Sequence, residues 1–409
     1  MVESENSQLT GQINYMLPLR DITIIAVESY GAGPYGSMLL ADLGATVIKV
    51  EDRSIGGDST RHAGPFFDAQ GRSYFYETFN RNKQSITLDL GHPQGKQVLE
   101  DLVCTADAVM NNLRGDVPAK LGLDYAALGQ VNPKVVCVHL SAYGRQGSRA
   151  TWPGYDFLMQ AETGHMALTG EPGGPPVRCG VSVVDMMGGM AAGLALLSGI
   201  IEARQGGRGR DYDTSLFDVA LSSLWYTSSW YLNTGHSQER APRSAHASLG
   251  PTQLYRTSDG WIFLMCPIQK FWVTLTQLIE RPDLADHPQF KGLAERADNR
   301  DALTQVLDES LMQKTTAQWM ALFGGKIPSA PIYDVAQALD TPFVRERGRV
   351  VEFGDDGDKV KLVASPISIA GEVLPTRRSP ALGANTDTLL RGLGYSEKHV
   401  QDLHAKGVV

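Results

Sequence analysis

Asp185 is the residue around which a chemical interpretation of this chain can be built. It follows a β-branched run over residues 181–184 and precedes an almost wholly apolar segment, rich in glycine and alanine, over residues 186–203. The pattern predicts a strand or loop that leads into a helix that is apolar all round and therefore buried. Asp185 could cap that helix, because aspartate accepts hydrogen bonds from the free N–H groups of a first turn. It could also be a carboxylate nucleophile whose charge the helix start stabilises, and the two roles are compatible.

Two glycines, Gly188 and Gly189, follow Asp185 within one helical turn. Glycine lowers helix stability and leaves room for a ligand or another segment to approach the backbone. We therefore treat both glycines as candidates for the wall of a substrate site beside Asp185.

Composition limits the classes of protein to which the chain can belong. A length of 409 residues predicts two domains or one large domain with an insertion, and a net charge of −8 argues against a general nucleic-acid-binding protein. The four cysteines are far apart and form no C-x-x-C motif, so we expect buried thiols in a cytoplasmic, reducing compartment and no metal site. They are Cys104, Cys137, Cys179 and Cys266.

The N-terminal residues 1–16 are acidic and polar and lack the apolar core of a secretory signal, so we predict a flexible tail. The longest apolar candidate for a membrane span, residues 186–201, is rich in glycine and alanine. We expect it to be a buried helix, and we expect no association with a membrane.

Short apolar strands alternate with helical segments in the first half of the chain. This order indicates an α/β fold with a parallel, Rossmann-like sheet that has helices on both faces. The predicted strands cover residues 22–27, 46–50, 86–90, 108–110 and 135–140, and the predicted helices cover residues 37–43, 94–103 and 125–128.

A glycine pattern in this region supports a competing interpretation. Gly31, Gly33 and Gly36 form G-x-G-x-x-G in a predicted loop after a strand, and Glu51 follows twenty residues after the first glycine. This pattern is typical of dinucleotide binding, so an NAD-dependent oxidoreductase is an alternative. Residues 28–30 separate the strand from the first glycine, and Pro34 removes a backbone donor from the loop, which argues against that alternative.

The second half of the chain predicts a smaller α+β domain. The sequence indicates a strand over residues 211–216, one long helix over residues 217–232 and a small, polar loop over residues 241–250. A hairpin over residues 254–264, three helices (residues 271–279, 300–312 and 316–323) and two late strands (residues 350–353 and 360–363) follow. The predicted organisation is a tail (1–16), a large Rossmann-like domain (17–233), a small domain (234–331) and a return to the large domain (332–409).

Basic side chains in loops of the first domain could hold an anionic ligand. Several follow strands, where open α/β sheets bind ligands, so a phosphate-rich ligand is a candidate, although each residue alone could be ordinary surface. These residues are Arg53, Arg61, Arg72, Arg81, Lys83, Arg114 and Lys120. No G-x-S-x-G motif, Walker A sequence or histidine–cysteine ligand set accompanies them.

Ordered blocks of sequence along the whole chain point to a known family. They lie at residues 32–34, 43–51, 80–90, 111–114, 121–123, 153–156, 180–185, 207–209, 257–261, 299–300 and 328–331. Through these blocks the chain, from Met16 onward, resembles the class III coenzyme A transferases, the CaiB/BaiF family typified by formyl-CoA transferase.

The resemblance implies a large Rossmann-like domain joined to a small domain in an interlocked homodimer. It implies transfer of CoA from an acyl-CoA to a small carboxylic acid, with Asp185 as the catalytic aspartate and no cofactor beyond the CoA thioester. The residues implied for CoA binding are Tyr30, Gly31, Ala32, Arg53, Lys83, Asn112, Arg114, Lys120, Tyr155 and Asp156.

This chain differs at two places from the proteins that it resembles. The small-domain loop over the active site, here residues 244–250, contains His246 and a single glycine instead of a glycine run. The α-methylacyl-CoA racemases, which the same resemblance includes, have a Gly-His-Asp pattern in this region. This chain has Tyr155 in place of that histidine, so the racemase alternative lacks its base. Arg178 and His246 are candidates for holding a second carboxylate, as in succinate.

Overall fold

The computed structural model describes residues 16–409 of the chain. The predicted N-terminal tail, apart from Met16, lies outside the described residues. Within the described part, eleven strands are present. They are β1 (Thr23–Val27), β2 (Thr46–Glu51), β3 (Gln84–Thr87), β4 (Ala108–Asn111), β5 (Val136–Ser141), β6 (Asp211–Ser215), β7 (Thr252–Arg256), β8 (Trp261–Met265), β9 (Ser329–Pro331), β10 (Val350–Phe353) and β11 (Val360–Val363).

The same residues form eighteen α-helices and four short 3-10 turns. The helices are α1 (Ala32–Asp42), α2 (Tyr74–Asn80), α3 (Pro93–Val103), α4 (Val117–Leu121), α5 (Tyr125–Leu128), α6 (Asp156–Glu162), α7 (His165–Leu168), α8 (Val183–Arg204), α9 (Leu216–Ser222), α10 (Trp225–Thr234), α11 (Gln269–Leu278), α12 (Leu293–Asp298), α13 (Arg300–Leu311), α14 (Thr316–Phe323), α15 (Val335–Leu339), α16 (Pro342–Glu346), α17 (Thr386–Gly392) and α18 (Glu397–Ala405). The 3-10 turns are Arg53–Ile55, Ser59–His62, Pro242–Ser244 and Pro282–Leu284.

A six-stranded parallel sheet, in the order β3-β2-β1-β4-β5-β6, forms the centre of the first unit. Its central strands are apolar and buried on both faces, as expected for a parallel sheet covered by helices. The predicted α/β class and parallel sheet are therefore confirmed. The strand order reverses between β1 and β4, which opens a crevice at the carboxyl ends of these two strands.

Helix α8 packs against α1 and against strands β5 and β6. Two glycines permit a close approach of the two helices: a Cβ at Gly36 would lie 2.3 Å from the carbonyl oxygen of Gly189, and a Cβ at Gly189 would lie 2.4 Å from that of Ala32. By length and composition α8 is apolar enough to cross a membrane, and half of its most apolar stretch is buried inside the fold. Long core helices have the same composition.

The chain divides into two compact units. The first contains the described residues up to Thr163, Gly180–Ser223 and Gly348–Val409. The second contains Gly164–Cys179 and Leu224–Arg347, with an antiparallel sheet in the order β7-β8-β9 and a core that includes the fully buried Trp272 and Trp319.

The bounds of these units differ from the domain bounds predicted from the sequence. Residues 164–179 belong to the second unit although they precede α8, and the return to the first unit begins at Gly348 instead of residue 332. The short helices α15 and α16 have no buried residue among them, so they lack the apolar periodicity from which a unit could be predicted.

Three local predictions were wrong. Residues 31–36 are not a loop, because α1 already begins at Ala32. The β-branched run before Asp185, predicted as a strand or loop over residues 181–184, is irregular only at residues 181–182, since α8 begins at Val183. The predicted helix over residues 217–232 is two helices, α9 and α10, and Trp225 at the break has a φ of +50°, which no continuous α-helix contains.

Helix α8 is also less buried than its composition predicted. Met190, Leu194 and Ile201 are 48%, 69% and 57% exposed, respectively. These large apolar side chains leave one stripe of the helix uncovered within the described chain.

Candidate active site

A cavity of about 570 Å³ opens in the first unit, beside the carboxyl ends of β1, β4 and β5. This is the edge at which open parallel sheets bind ligands. The lining residues are Ser29, Tyr30, Gly31, Ala32, Ser59, Asn112, Leu113, Arg114, Leu140, Ser141, Ala142, Trp152, Pro153, Gly154, Tyr155, Asp185 and Leu216.

Asp185 is the acidic side chain in this lining, and it lies in the first turn of α8 with 9% of its surface exposed. Ser182 occupies the N-cap position, so the capping role weighed from the sequence does not apply. The backbone N–H of Asp185 donates to Oδ2 of Asp156 at 2.9 Å. Within residues 16–409 no hydrogen bond to the carboxylate oxygens of Asp185 is present, so these oxygens remain available to a ligand in the cavity.

Burial, and then the negative charge of Asp156, raise the pKa of Asp185 to about 7. The start of α8 acts in the opposite direction, because a helix N-terminus favours a negative charge. A carboxylate with this pKa is a stronger base and nucleophile than an exposed aspartate, and it is ionised above neutral pH.

The turn between β1 and α1 forms the wall next to Asp185. A Cβ at Gly31 would lie 2.9 Å from Oδ2 of Asp185, so glycine keeps this wall in contact with the carboxylate without a clash. The preceding residue, Tyr30, has a φ of +73°, an uncommon conformation for a residue with a side chain. Its ring is 45% exposed and forms an edge contact with Tyr155 across 6.3 Å.

The glycines of the dinucleotide-like pattern serve packing in this structure. A Cβ at Gly33 would lie 2.9 Å from the side chain of Asn112, and Gly36 lies against the backbone of Gly189. Oε1 and Oε2 of Glu51 accept hydrogen bonds from Arg61 at 2.8 and 2.6 Å. Gly33, Gly36 and Glu51 are therefore not free for a pyrophosphate and a ribose, so the NAD alternative loses its structural basis.

Six of the ten residues implied for CoA binding line the cavity: Tyr30, Gly31, Ala32, Asn112, Arg114 and Tyr155. Asn112 fixes the neighbouring turn, because its Oδ1 accepts from Ser29 N at 2.9 Å and its Nδ2 donates to Ser29 O at 2.7 Å. Arg114 is exposed and pairs with Asp116.

The other four residues do not line the cavity. Arg53 and Lys120 are exposed, and Lys120 pairs with Asp116. Asp156 is 3% exposed and lies behind Asp185 as its hydrogen-bond partner. Lys83 is buried and donates to Oε1 of Glu28 at 2.7 Å, so its charge is used inside the fold. Burial lowers the pKa of Lys83 to about 8.

The remaining predicted site residues lie elsewhere or have another role. Gly188 and Gly189 do not form a substrate wall: a Cβ at Gly188 would meet Leu216 at 2.9 Å, and Gly189 packs on α1. Arg178 and His246 belong to the second unit. His246 lines a separate cavity of about 320 Å³ in that unit, where its Nε2 lies 3.2 Å from the hydroxyl of Tyr226.

Sequence reasoning missed several residues of the cavity lining, including Ser141 and Trp152. Ser141 is the last residue of β5, so the rule that ligands bind at the carboxyl ends of strands would have identified it. Trp152 lies in an irregular segment, and no local pattern indicates that it reaches the cavity.

Comparisons with known proteins agree with this fold and identify the family. The family model for CoA-transferase family III matches residues 19–386. Human succinyl-CoA:glutarate CoA-transferase is 31% identical over 97% of this chain and 91% of its own length. Succinate–glutarate CoA-transferase of Agrobacterium fabrum is 32% identical over 95% of this chain and 99% of its own length.

A solved structure supports the same assignment. The crystal structure of a CaiB/BaiF family protein from Brucella suis has a TM-score of 0.80 and 32% sequence identity, and the match covers 92% of this chain and 99% of that one. The chain is thus an enzyme of the α/β class, with a cavity at the switch point of a parallel sheet. It belongs to CoA-transferase family III, which confirms the resemblance found from the sequence.

Proposed function

We propose that this enzyme transfers CoA from an acyl-CoA thioester to a carboxylic acid through covalent intermediates on Asp185. The observation that carries the proposal is a buried aspartate with unpartnered carboxylate oxygens in a cavity at the switch point of the sheet. Burial raises the pKa of this carboxyl group to about 7 and so makes its ionised form more nucleophilic.

The first half of the reaction loads CoA onto the enzyme. A carboxylate oxygen of Asp185 forms a bond to the thioester carbonyl carbon, the C–S bond breaks, and CoA leaves as a thiolate from an acyl-aspartyl anhydride. The thiolate then attacks the aspartyl carbonyl carbon. A C–S bond forms, the anhydride C–O bond breaks, and the donor acid leaves as a carboxylate.

The second half reverses these bonds with the acceptor acid. Its carboxylate attacks the aspartyl thioester, which releases the thiolate and forms a second anhydride. The thiolate attacks the acceptor's carbonyl carbon, which yields the new acyl-CoA and restores the carboxylate of Asp185. No net proton or electron is transferred, so we propose that the reaction needs no cofactor beyond the CoA thioester.

The residues around Asp185 fit the demands of this chemistry. The contact with Gly31 and the burial of Asp185 limit the access of water, which would hydrolyse an anhydride. Tyr30, Asn112, Arg114 and Tyr155 line the path along which CoA would approach the carboxylate, and Arg114 could pair with a phosphate group.

We propose dicarboxylic acids as the substrate class. The names of the human and Agrobacterium relatives specify succinate and glutarate, two dicarboxylates. Arg178 and His246, which both belong to the second unit, remain candidates for binding the distal carboxylate of such a substrate.

We also propose a homodimer in the cytoplasm. The exposed stripe Met190, Leu194 and Ile201 on α8 is an apolar surface of the kind that a second copy would cover. The four cysteines are free thiols, which suits a reducing compartment. Sedimentation should give twice the chain mass for the wild type, and Leu194→Glu should shift it towards the monomer; a monomeric wild type would contradict the proposal.

The experiment that tests the function measures the transfer of labelled acid into acyl-CoA. A panel of acetyl-, succinyl- and glutaryl-CoA is incubated with labelled succinate, glutarate or oxalate, and the labelled thioester is quantified. The wild type should transfer label with at least one pair, and Asp185→Asn should lose transfer by at least about 10³-fold. Full activity of Asp185→Asn would contradict the mechanism.

A further inference from the structure

Asp58 is a buried carboxylate that does not line the cavity but holds the turn that does. It is 2% exposed. Its Oδ1 accepts from the backbone N–H of Tyr30 at 3.1 Å and from Ser29 Oγ at 3.0 Å. The same oxygen accepts from Thr60 N at 2.9 Å and from Thr60 Oγ1 at 2.8 Å, so Asp58 ties the β1–α1 turn to the segment after β2.

A buried lysine fixes the other oxygen of Asp58. Nζ of Lys49 lies 2.8 Å from Oδ2 of Asp58, and both side chains are fully buried. Lys49 also donates to the carbonyl oxygen of Glu28 at 2.9 Å, next to Ser29. Burial alone would raise the pKa of Asp58. The charge of Lys49 and the hydrogen bonds outweigh this effect and lower the pKa to about 2, so this carboxylate stays charged.

The turn that Asp58 holds has a backbone conformation that needs support. Tyr30 adopts a φ of +73°, in the left-handed region that residues with a Cβ rarely occupy. Asn112 holds Ser29 from one side through two hydrogen bonds, and Asp58 holds Ser29 and Tyr30 from the other. The next residue, Gly31, lies against the carboxylate of Asp185.

We propose that Asp58 is a positioning residue for CoA transfer: it holds the backbone of Ser29–Gly31 against Asp185 and acts through that backbone without contacting substrate. The inference rests on the proposed role of Asp185 as the nucleophile. A carboxyl group that attacks one carbonyl carbon, and whose own carbonyl carbon is then attacked twice, needs a fixed wall. Displacement of reacting groups by about 1 Å can cost roughly a hundredfold in rate.

The test compares three variants with the wild type. Asp58→Ala removes every acceptor, whereas Asp58→Asn keeps an oxygen that can accept from Tyr30 N. Asp42→Ala is the matched control, because Asp42 is also 2% exposed and ion-paired, with Arg81 at 2.7 Å, but does not line the cavity or contact its turn. kcat, KM and Tm are measured with succinyl-CoA and glutarate, or with the pair that gives the highest rate in the panel above.

Asp58→Ala should lower kcat by about 10- to 100-fold, while Asp58→Asn should retain kcat within about threefold of the wild type. Asp42→Ala should lower Tm to a similar extent and leave kcat unchanged for the folded protein. If Asp58→Ala does not fold, Asp58→Ser takes its place, because a serine hydroxyl is too short to reach Tyr30 N.

An unchanged kcat in Asp58→Ala, an equal loss in Asp42→Ala, or a failure of Asp58→Asn to restore kcat would overturn the proposal. Asp185→Asn is assayed in parallel. Its inactivity together with a normal kcat in Asp58→Ala would contradict only the role of Asp58, whereas an active Asp185→Asn would contradict the proposed nucleophile.

Discussion

The backbone N–H of Asp185 and the carboxylate of Asp156 are joined by a hydrogen bond of 2.9 Å, which places two acidic side chains next to each other at the start of α8. Both side chains are more than nine-tenths buried. The arrangement orients the first turn of α8 and at the same time opposes ionisation of Asp185. If Asp185 is the nucleophile, we expect Asp156 to affect the reaction through the pKa of Asp185 instead of by contact with CoA.

The pH dependence of transfer should report this relationship. In the proposed mechanism only the ionised Asp185 attacks, so the rate should rise with pH through a midpoint near 7, the value to which burial and Asp156 raise the pKa of Asp185. Asp156→Asn removes the smaller of these two causes, so the midpoint should move to lower pH, by up to about one unit. A pH profile of kcat/KM measures the shift.

Asp213→Asn provides the control for that experiment, because Asp213 is an ion-paired carboxylate of the first unit that does not line the cavity. Its profile should coincide with that of the wild type. An unchanged midpoint in Asp156→Asn would mean that another group sets the acid limb.

Asp185 should also make stability depend on pH. Its pKa is about 7 in the folded chain and near 3.8 without the fold, so its contribution is fully present below pH 3.8 and is lost as pH rises through 7. Relative to the wild type, Asp185→Asn should therefore be more stabilising at pH 8 than at pH 5, by at most roughly 3 kcal/mol. Urea unfolding of both proteins at the two pH values measures the difference; an equal effect at both would contradict the raised pKa.

The close contact of α1 and α8 should make Gly189 intolerant of a side chain. A Cβ there would lie 2.4 Å from the carbonyl oxygen of Ala32, so Gly189→Ala should destabilise the protein by about 1–3 kcal/mol and reduce activity by shifting the turn beside Asp185. In the same helix a Cβ at Gly193 would lie 3.9 Å from the nearest atom, an ordinary contact.

Gly193→Ala is therefore the matched control, and it should be neutral or stabilising, since alanine favours helix by about 1 kcal/mol over glycine. Thermal unfolding of the two variants tests the contrast. Equal stability would show that the helices separate without cost.

Arg114 should contribute to the binding of CoA more than to the chemical step. It lines the cavity and is exposed, so Arg114→Gln should raise KM for acyl-CoA several-fold with little change in kcat. Arg210→Gln is the control, because Arg210 is an exposed, ion-paired arginine that does not line the cavity. A fall in kcat at constant KM would place Arg114 at the reacting atoms instead.

The parallel sheet and several helices could be predicted from the sequence because their signals are local. The helix over Thr316–Phe323 and the strands over Val350–Phe353 and Val360–Val363 have the predicted bounds, since their apolar periodicity ends at clear turn residues. The position of Asp185 at a helix start was also evident, although the helix begins two residues earlier.

The roles of the charged residues could not be predicted in the same way. Lys83 belongs to the basic residues predicted for a phosphate-rich ligand, but its partner, Glu28, is 55 residues away in the sequence. The glycine pattern at Gly36 was equally ambiguous, because its function depends on the helix that packs against it. Such roles follow from tertiary contacts that no local pattern encodes.

The most direct test of the account is the capture of a covalent intermediate on Asp185. The protein is incubated with each acyl-CoA of the panel, treated with hydroxylamine and digested with trypsin, and the peptide of residues 179–204 is weighed. The account predicts a hydroxamate on Asp185 with productive donors and none in matched reactions that lack acyl-CoA. Two results together would contradict the transferase mechanism and favour the racemase alternative. They are an Asp185 peptide that stays unmodified with every donor, and exchange of an α-proton of the acyl group with deuterated water.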